Sequence, residues 1–315
     1  MSNRVFLTVI TPTYNEVESI ENCIRSVRET LQNYSEQIVY EHLIIDNNST
    51  DATAEVVEHA ASSDRRVRLI VNSRNIGASR SIFRALGKSK GDWVIPMLPA
   101  DMQDPVHVIP QFLDSVKDGQ TQVVYGVRTN RREHFLMRIL RSLYYRTVRK
   151  FSSIELQLNA GEFALLRRDI VDAIVETNDQ YPYVRGLISQ TGARFKTVDY
   201  SWEQRAAGKS KASPLVLIDL AVNGFVSTSQ IPARVALICG FVLSTLGTTA
   251  GVFYMIATIF FGFSIGTGIP TLIVALFFFS GIQLFFLGLI GEYVLSIHRQ
   301  VKLEPAVHTS REINS

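Results

Sequence analysis

Three short polar segments carry residue types from which a reaction centre could be built: Thr11-Pro12-Thr13-Tyr14-Asn15-Glu16, Asp46-Asn47-Asn48-Ser49-Thr50-Asp51 and Asp101-Met102-Gln103-Asp104. Each follows an apolar, strand-like run. In open α/β sheets the ligand crevice lies beyond the carboxyl ends of the strands, so three carboxylate-bearing ends are expected to converge there. A helix N-cap accounts for Asp51, and Asp104, just before Pro105, has the same explanation. Asp46 and Asp101 are not placed to cap a helix, and they are the acids assigned to function. Basic residues supply the complement. Arg128 and Arg131 follow a fifth strand, and Arg205, Ser210 and Lys211 lie in the glycine-containing run Arg205-Ala206-Ala207-Gly208-Lys209-Ser210-Lys211. All five can give hydrogen bonds to a phosphate, charge-assisted from the Arg and Lys side chains. The competing explanation is positive charge beside a membrane, which needs no particular geometry.

The elements that must position these residues alternate along the chain. Strand patterns at 5–11, 42–46, 67–71, 93–98 and 122–127 are interleaved with helical patterns at 16–32, 51–62, 78–88 and 105–117. Such alternation predicts an α/β domain with a mainly parallel sheet and helices on both faces. Cys23 falls in a predicted helix and Cys239 in an apolar run, so a disulfide framework or a cysteine metal site is not expected.

The chain has 315 residues, 46% hydrophobic and 19% charged, which excludes a disordered chain and a disulfide-stapled miniprotein. A net charge of +3 is too small to indicate a nucleic-acid partner. Charge is unevenly spread, however. Between Val235 and Gly291 there is no Asp, Glu, Lys, Arg or His, and this excludes a simple soluble enzyme. The run Gly262-Phe263-Ser264-Ile265-Gly266-Thr267-Gly268-Ile269-Pro270 divides it, giving two expected transmembrane helices near 235–261 and 270–291. A hairpin returns the chain to the side it left. Arg205, Lys209, Lys211 and Arg234 before it, with His298, Arg299 and Lys302 after it, place both flanks in the cytoplasm. The expected organisation is a cytoplasmic domain at 1–212, a juxtamembrane interfacial helix at 213–234, the hairpin at 235–291 and a cytoplasmic tail at 292–315. A second interfacial helix is expected near 134–151, where apolar residues recur at helical spacing among five cations and no acid.

These segments together resemble the family-two glycosyltransferases with a GT-A fold, specifically the polyprenyl-phosphate glycosyltransferases. That group includes dolichol-phosphate mannose synthases and bacterial O-antigen (lipopolysaccharide) glucosylation enzymes of the cytoplasmic membrane. The likeness runs in order through the three strand ends, Asn75-Ile76-Gly77, Gly161-Glu162-Phe163, the 205–211 loop and Gly291-Glu292-Tyr293. It implies transfer of one sugar from a nucleotide-sugar, here a UDP-sugar, to a polyprenyl phosphate such as undecaprenyl phosphate. It also implies that Pro12, Tyr14, Asn15, Glu16, Asp46, Asn75 and Gly77 hold the donor nucleotide. Asp101 would bind Mg²⁺ or Mn²⁺ on the donor diphosphate, with Gln103 orienting the donor and Glu162 an acid near the acceptor. Arg128, Arg131, Arg205, Ser210 and Lys211 would hold the acceptor phosphate, the 205–211 loop covers the site, and the assembly is a homo-oligomer, a tetramer.

The chemistry fits these residue types. A hard cation on one or two carboxylates neutralises a diphosphate leaving group, and an acceptor phosphate with a second pKa of about 6 is largely ionised at neutral pH and needs no strong base. The family's Asp-x-Asp has Pro99 at its first position here, its paired acids at the second strand end are Asp46 and Asn47, and Gly-Asp-Phe appears as Gly161-Glu162-Phe163. Two other functions compete. A processive polysaccharide synthase would carry Gln-x-x-Arg-Trp, which is absent, and a silent scaffold is suggested by Pro99 and Asn47.

Overall fold

The computed structural model describes residues 4–129, 160–201, 268–302 and 307–314, with scattered positions between 238 and 260. The expected interfacial helices at 134–151 and 213–234, and the 205–211 loop, lie outside the described residues. The chain divides into two compact units. One comprises Met1–Lys150, Ile154–Pro214 and Leu303–Ser315, and the other Phe151–Ser153 and Leu215–Lys302.

The first unit is a mixed α/β sheet. In chain order it contains β1 (Val5–Thr13), α1 (Ile20–Gln32), β2 (Ile38–Asp46), α2 (Thr53–Ser63), β3 (Val67–Asn72), α3 (Ala78–Lys88) and β4 (Trp93–Ile95). A 3₁₀ turn at Val106–Val108 leads into α4 (Ile109–Ser115), then β5 (Val123–Thr129), β6 (Ala160–Arg167), α5 (Arg168–Glu176), α6 (Val184–Gln190), β7 (Phe195–Ser201) and finally β8 (Thr309–Ile313). The sheet order is β7-β5-β6-β4-β1-β2-β3-β8. Strands β4, β1, β2 and β3 are parallel, as is the β5/β7 pair. β6 runs antiparallel between β4 and β5, and β8 antiparallel along β3, so the sheet is more mixed than the alternating pattern predicts.

Helices cover both faces because the central strands are apolar on both sides. Leu7, Val9, Ile44 and Leu69 pack with Val27 and Leu31 of α1 and Val57 of α2. Ile10, Leu43, Ile45 and Ile70 pack on the opposite face with Ile82 and Leu86 of α3 and Ile174 of α5. Cys23 belongs to the first of these cores, and burial pushes its thiol up to about 12. Several boundaries move for local reasons. β4 stops at Ile95 because Pro96 has no N–H for the ladder. The helix expected from 105 opens as a 3₁₀ turn and becomes α-helical at Ile109, with Pro110 in its first turn. β2 starts four residues early, at Ile38, through the polar pair Glu41-His42. There Glu41 meets Arg68 at 2.6 Å and His42 Nε2 meets Thr11 Oγ1 at 2.8 Å.

In the second unit, α7 (Ile269–Val301) spans 33 residues. It contains the apolar window Phe278–Leu295, none of it buried, which is long and apolar enough to cross a membrane. The helix outlasts the expected span at 270–291 because Glu292 ends the apolar run without breaking the helix, and the next proline is Pro305. The described positions between Ile238 and Phe260 are helical, while the rest of the 235–261 span lies outside the described residues.

Candidate active site

The carboxyl ends of β1 and β2 are laced together by short polar side chains. Asp46 is fully buried and accepts from Thr13 Oγ1 at 3.0 Å, Ser49 N at 2.8 Å and Ser49 Oγ at 2.5 Å. The Asn15 N–H donates to Ser49 Oγ at 2.9 Å, and Thr50 N donates back to Asn15 Oδ1 at 2.8 Å. Asn15 and Asn48 hold left-handed backbone, with φ of 56° and 60°, a conformation that asparagine tolerates better than most residues. Glu16 N donates to Thr53 Oγ1 at 2.9 Å, and Ser19 Oγ reaches the Glu16 carboxylate at 3.1 Å. Asp51, expected to cap α2, stands one residue before the N-cap, Ala52, and α2 begins without a side-chain cap; Asp51 accepts from Thr53 N at 3.0 Å instead. Pro12 is half-buried and Tyr14 is exposed at the mouth. Asp46, expected to face the crevice, is instead turned inward onto Thr13 and Ser49.

The end of β4 turns tightly. Met102 N donates to the Pro99 carbonyl at 3.0 Å, Met102 is left-handed with φ 56°, and Gln103 N donates to Asp101 Oδ1 at 3.2 Å. A left-handed methionine is strained at a cost of about 1–2 kcal/mol, so the surroundings must hold the turn. Leu98 N extends the pairing to the Ile10 carbonyl at 2.8 Å, and Asn22 of α1 reaches the Met102 sulfur at 3.9 Å. Asp101 and Gln103 both emerge half-buried from this turn. Pro99, which replaces the first acid of the expected motif, is the first residue of the turn.

Asp104 does not cap the following helix, which begins without a side-chain cap. Its carboxylate, 1% exposed, instead accepts both arms of the Arg128 fork, from Nε at 3.0 Å and Nη2 at 2.8 Å. Tyr200 of β7 donates its hydroxyl to the same carboxylate, and Arg128 Nε lies 3.1 Å from the Tyr200 oxygen. Burial alone would lower the Arg128 pKa, but the Asp104 carboxylate and Tyr200 more than reverse this and raise it. The Tyr200 phenol is raised by burial and then by Asp104. Two glycines make room. A Cβ on Gly161 would sit 3.4 Å from Arg128 Nη2, and one on Gly126 would lie 2.8 Å from the Tyr200 ring. Phe163 packs edge-on to Tyr200 and tilted on Phe112. Glu162, between Gly161 and Phe163 on β6, has its carboxyl raised by burial, an effect opposed by Arg185 and Arg128 and reinforced by Asp104.

The structure thus brings Asp101, Gln103, Asp104, Arg128, Glu162 and Tyr200 to one end of the sheet. Asn75 and Gly77 lie beyond β3, where Gly77 N donates to Asn75 Oδ1 at 2.9 Å and Gly77 takes a φ of 82°. Tyr200 and the pairing role of Asp104 were not foreseen, since 96 residues separate the two and no spacing joins them. Arg131, Arg205, Ser210 and Lys211 lie outside the described residues. No group of three His, Cys, Asp or Glu side chains gathers as a metal cluster among the described residues. Asp101 and Gln103 nonetheless offer two hard oxygen donors on one turn, which suits a cation that draws its remaining ligands from phosphates and water.

With this geometry, comparison with known proteins is decisive for the family. Residues 8–175 match the glycosyl transferase family 2 model, and the chain belongs to that family. It is 31% identical to the uncharacterized glycosyltransferase YkcC of Bacillus subtilis (strain 168), over 97% of this chain and 93% of that protein. It is 30% identical to the prophage bactoprenol glucosyl transferase homolog of Escherichia coli (strain K12), over 95% of this chain and 96% of that one. Among solved structures, the mannosyltransferase PcManGT from Pyrobaculum calidifontis, in complex with GDP-Man and Mn²⁺, matches 78% of this chain and 81% of that chain at 18% identity and a TM-score of 0.46.

Proposed function

We propose that this glycosyltransferase moves a single hexose from a UDP-sugar to undecaprenyl phosphate at the cytoplasmic face of a bacterial membrane. The observation that carries the reading is the Asp101–Gln103 turn followed at once by an Asp104–Arg128–Tyr200 cluster with Glu162 on the neighbouring strand. Full-length likeness to a bactoprenol glucosyl transferase homolog supports the choice of lipid acceptor.

In this reading Tyr14, Asn15, Glu16, Asn75 and Gly77 embrace the nucleotide, and buried Asp46 fixes the loop beneath it. Asp101 and Gln103 would hold Mg²⁺ or Mn²⁺, which when bound neutralises charge on the leaving diphosphate. An acceptor phosphate oxygen forms a bond to the anomeric carbon as the bond from that carbon to the diphosphate breaks, so configuration inverts and UDP departs. Arg128, Arg131, Arg205, Ser210 and Lys211 hold the acceptor phosphate, with Arg128 braced by Asp104. The phosphate arrives ionised, so positioning and electrostatics carry the step and Glu162 is not required as a strong base.

The C-terminus supports an even number of membrane crossings. The chain leaves the sheet after Ser201 and rejoins the same sheet at Thr309, with the apolar stretch in between. That return to the same sheet supports a two-helix hairpin with both flanks on one side. A homo-oligomer, tetrameric as in the resemblance, is the assembly we propose. The test is incorporation of radiolabelled sugar from UDP-sugars into extractable lipid. Lipid-phosphate-dependent incorporation supports the reading, a polymer would favour a synthase, and no product with any UDP-sugar would favour a scaffold.

A further inference from the structure

Behind the nucleotide side of the crevice runs a buried polar chain that the reaction itself does not call for. Asn47, 3% exposed at the end of β2, accepts at Oδ1 from Ser81 Oγ at 2.6 Å, Asn72 Nδ2 at 3.0 Å and Ile76 N at 3.5 Å. Asn72, fully buried at the end of β3, accepts at its own Oδ1 from Arg84 Nη1 at 2.6 Å. The second arm of Arg84 donates to Thr309 Oγ1 at 2.5 Å, on β8. β8 is itself fastened to β3 through Ser73 N to the His308 carbonyl at 3.0 Å and Ser310 Oγ to the Val71 carbonyl at 3.1 Å. Among the described residues, a continuous path therefore leads from the C-terminal strand to the backbone of the Asn75-Ile76-Gly77 segment.

The chemistry of the path is directional. Arginine can only donate, so it accepts no partner but the oxygen of the Asn72 amide. That choice turns the Asn72 NH₂ toward Asn47 and Ser81, and leaves the Asn47 oxygen to receive Ile76 N. The Asn72 NH₂ is held by Asn47 Oδ1 at 3.0 Å and Ser81 Oγ at 3.2 Å as well, so loss of Arg84 leaves the buried Asn72 oxygen without its charged donor and loosens the amide that positions Asn47.

We propose that Arg84 is a positioning residue for donor binding, acting through Asn72 and Asn47 on the 75–77 segment, with β8 as its outer anchor. The functional consequence rests on the donor site described under the proposed function, whereas the structural coupling does not. The test compares the full-length wild type with Arg84→Met, Arg84→Lys, Thr309→Val and Asn72→Asp. It reads amide exchange at Ile76, affinity for UDP, and the separate KM values for UDP-sugar and undecaprenyl phosphate.

Arg84→Met should speed Ile76 exchange and weaken UDP binding by about tenfold, the loss of one charge-assisted hydrogen bond, with kcat and the lipid KM near wild type. Arg84→Lys, which can still donate to Asn72, should restore most of the loss, and Thr309→Val should show a smaller defect in the same direction. Asn72→Asp keeps a partner for Arg84 but presents an acceptor to Asn47, so it should share the UDP defect even if Arg84→Met fails to fold. A fall in melting temperature with UDP affinity unchanged, equal losses for donor and lipid, or unaltered Ile76 exchange in folded variants would overturn the proposal. If the wild type neither binds UDP nor transfers sugar, the donor-site reading fails, and Ile76 exchange still decides the coupling.

Discussion

Replacing Asp104 with Ala would remove the acceptor that both arms of Arg128 and the hydroxyl of Tyr200 share. The carboxylate is 1% exposed and the Arg128 side chain 21% exposed, so the ion pair that is broken is mostly shielded from water. Breaking a buried pair by removing one partner costs about 3–5 kcal/mol, and partial exposure of Arg128 places this case at about 3. In a folded unit of roughly 200 residues, 1 kcal/mol shifts the melting temperature by about 2–4 °C, so the expected loss is about 6–12 °C. Tyr200→Phe removes one hydroxyl and keeps the fork, and should cost only about 1 kcal/mol. Thermal unfolding of the purified protein in one detergent, followed by intrinsic fluorescence, measures both. Sugar transfer assayed well below the lowered midpoint should also fall in Asp104→Ala, because Arg128 loses its orientation. A shift under about 2 °C with full transfer would contradict this, since it would mean that Asp104 contributes little to holding Arg128.

Asp101→Asn should remove most metal-dependent transfer with the melting temperature nearly unchanged, because it deletes the acid proposed to hold the metal; full turnover at limiting Mg²⁺ or Mn²⁺ would count against that role. Asp46→Ala should weaken UDP binding more than lipid binding, through release of Thr13 and Ser49; calorimetry with unchanged UDP affinity would oppose it. His42 is buried and burial lowers its pKa to about 3. Its unfolded value near 6.5 is higher, so the unfolded state binds the extra proton and the stability contribution, complete above about pH 6.5, is lost as pH falls toward 3. His42→Gln should flatten that acid-side slope, by up to about 1.4 kcal/mol per pH unit, and urea titrations from pH 7 to 4 would detect its absence.

Much of the sheet was legible because its central strands are apolar runs cut by identifiable breakers. The α3 boundaries, 78–88, agree with the pattern, and Pro96 and Pro105 mark real changes of direction, whereas β1, expected to end at 11, runs on through Pro12 to Thr13 in register with β2. What escaped is polar or distant. β8 reads Thr-Ser-Arg-Glu-Ile, an edge strand with a largely exposed surface, and gives no apolar signal. The start of β2 was hidden by Glu41 and His42, whose burial depends on Arg68 and Thr11. Asp101 and Gln103 could be picked out because a turn after a strand exposes them, whereas Asp46 has the same sequence context and turns inward. The partners of Asp104 come from β5 and β7, and a pairing of that range is set by sheet order, which local spacing does not encode.

The most direct test of the central claim is mass spectrometry, with anomeric assignment by NMR, of the lipid formed from an α-linked UDP-hexose and undecaprenyl phosphate by the purified protein. The expected product is a lipid phosphate carrying one hexose in the inverted, β configuration. A lipid bearing several sugars, retention of configuration, or an unmodified lipid with every UDP-hexose supplied would contradict it.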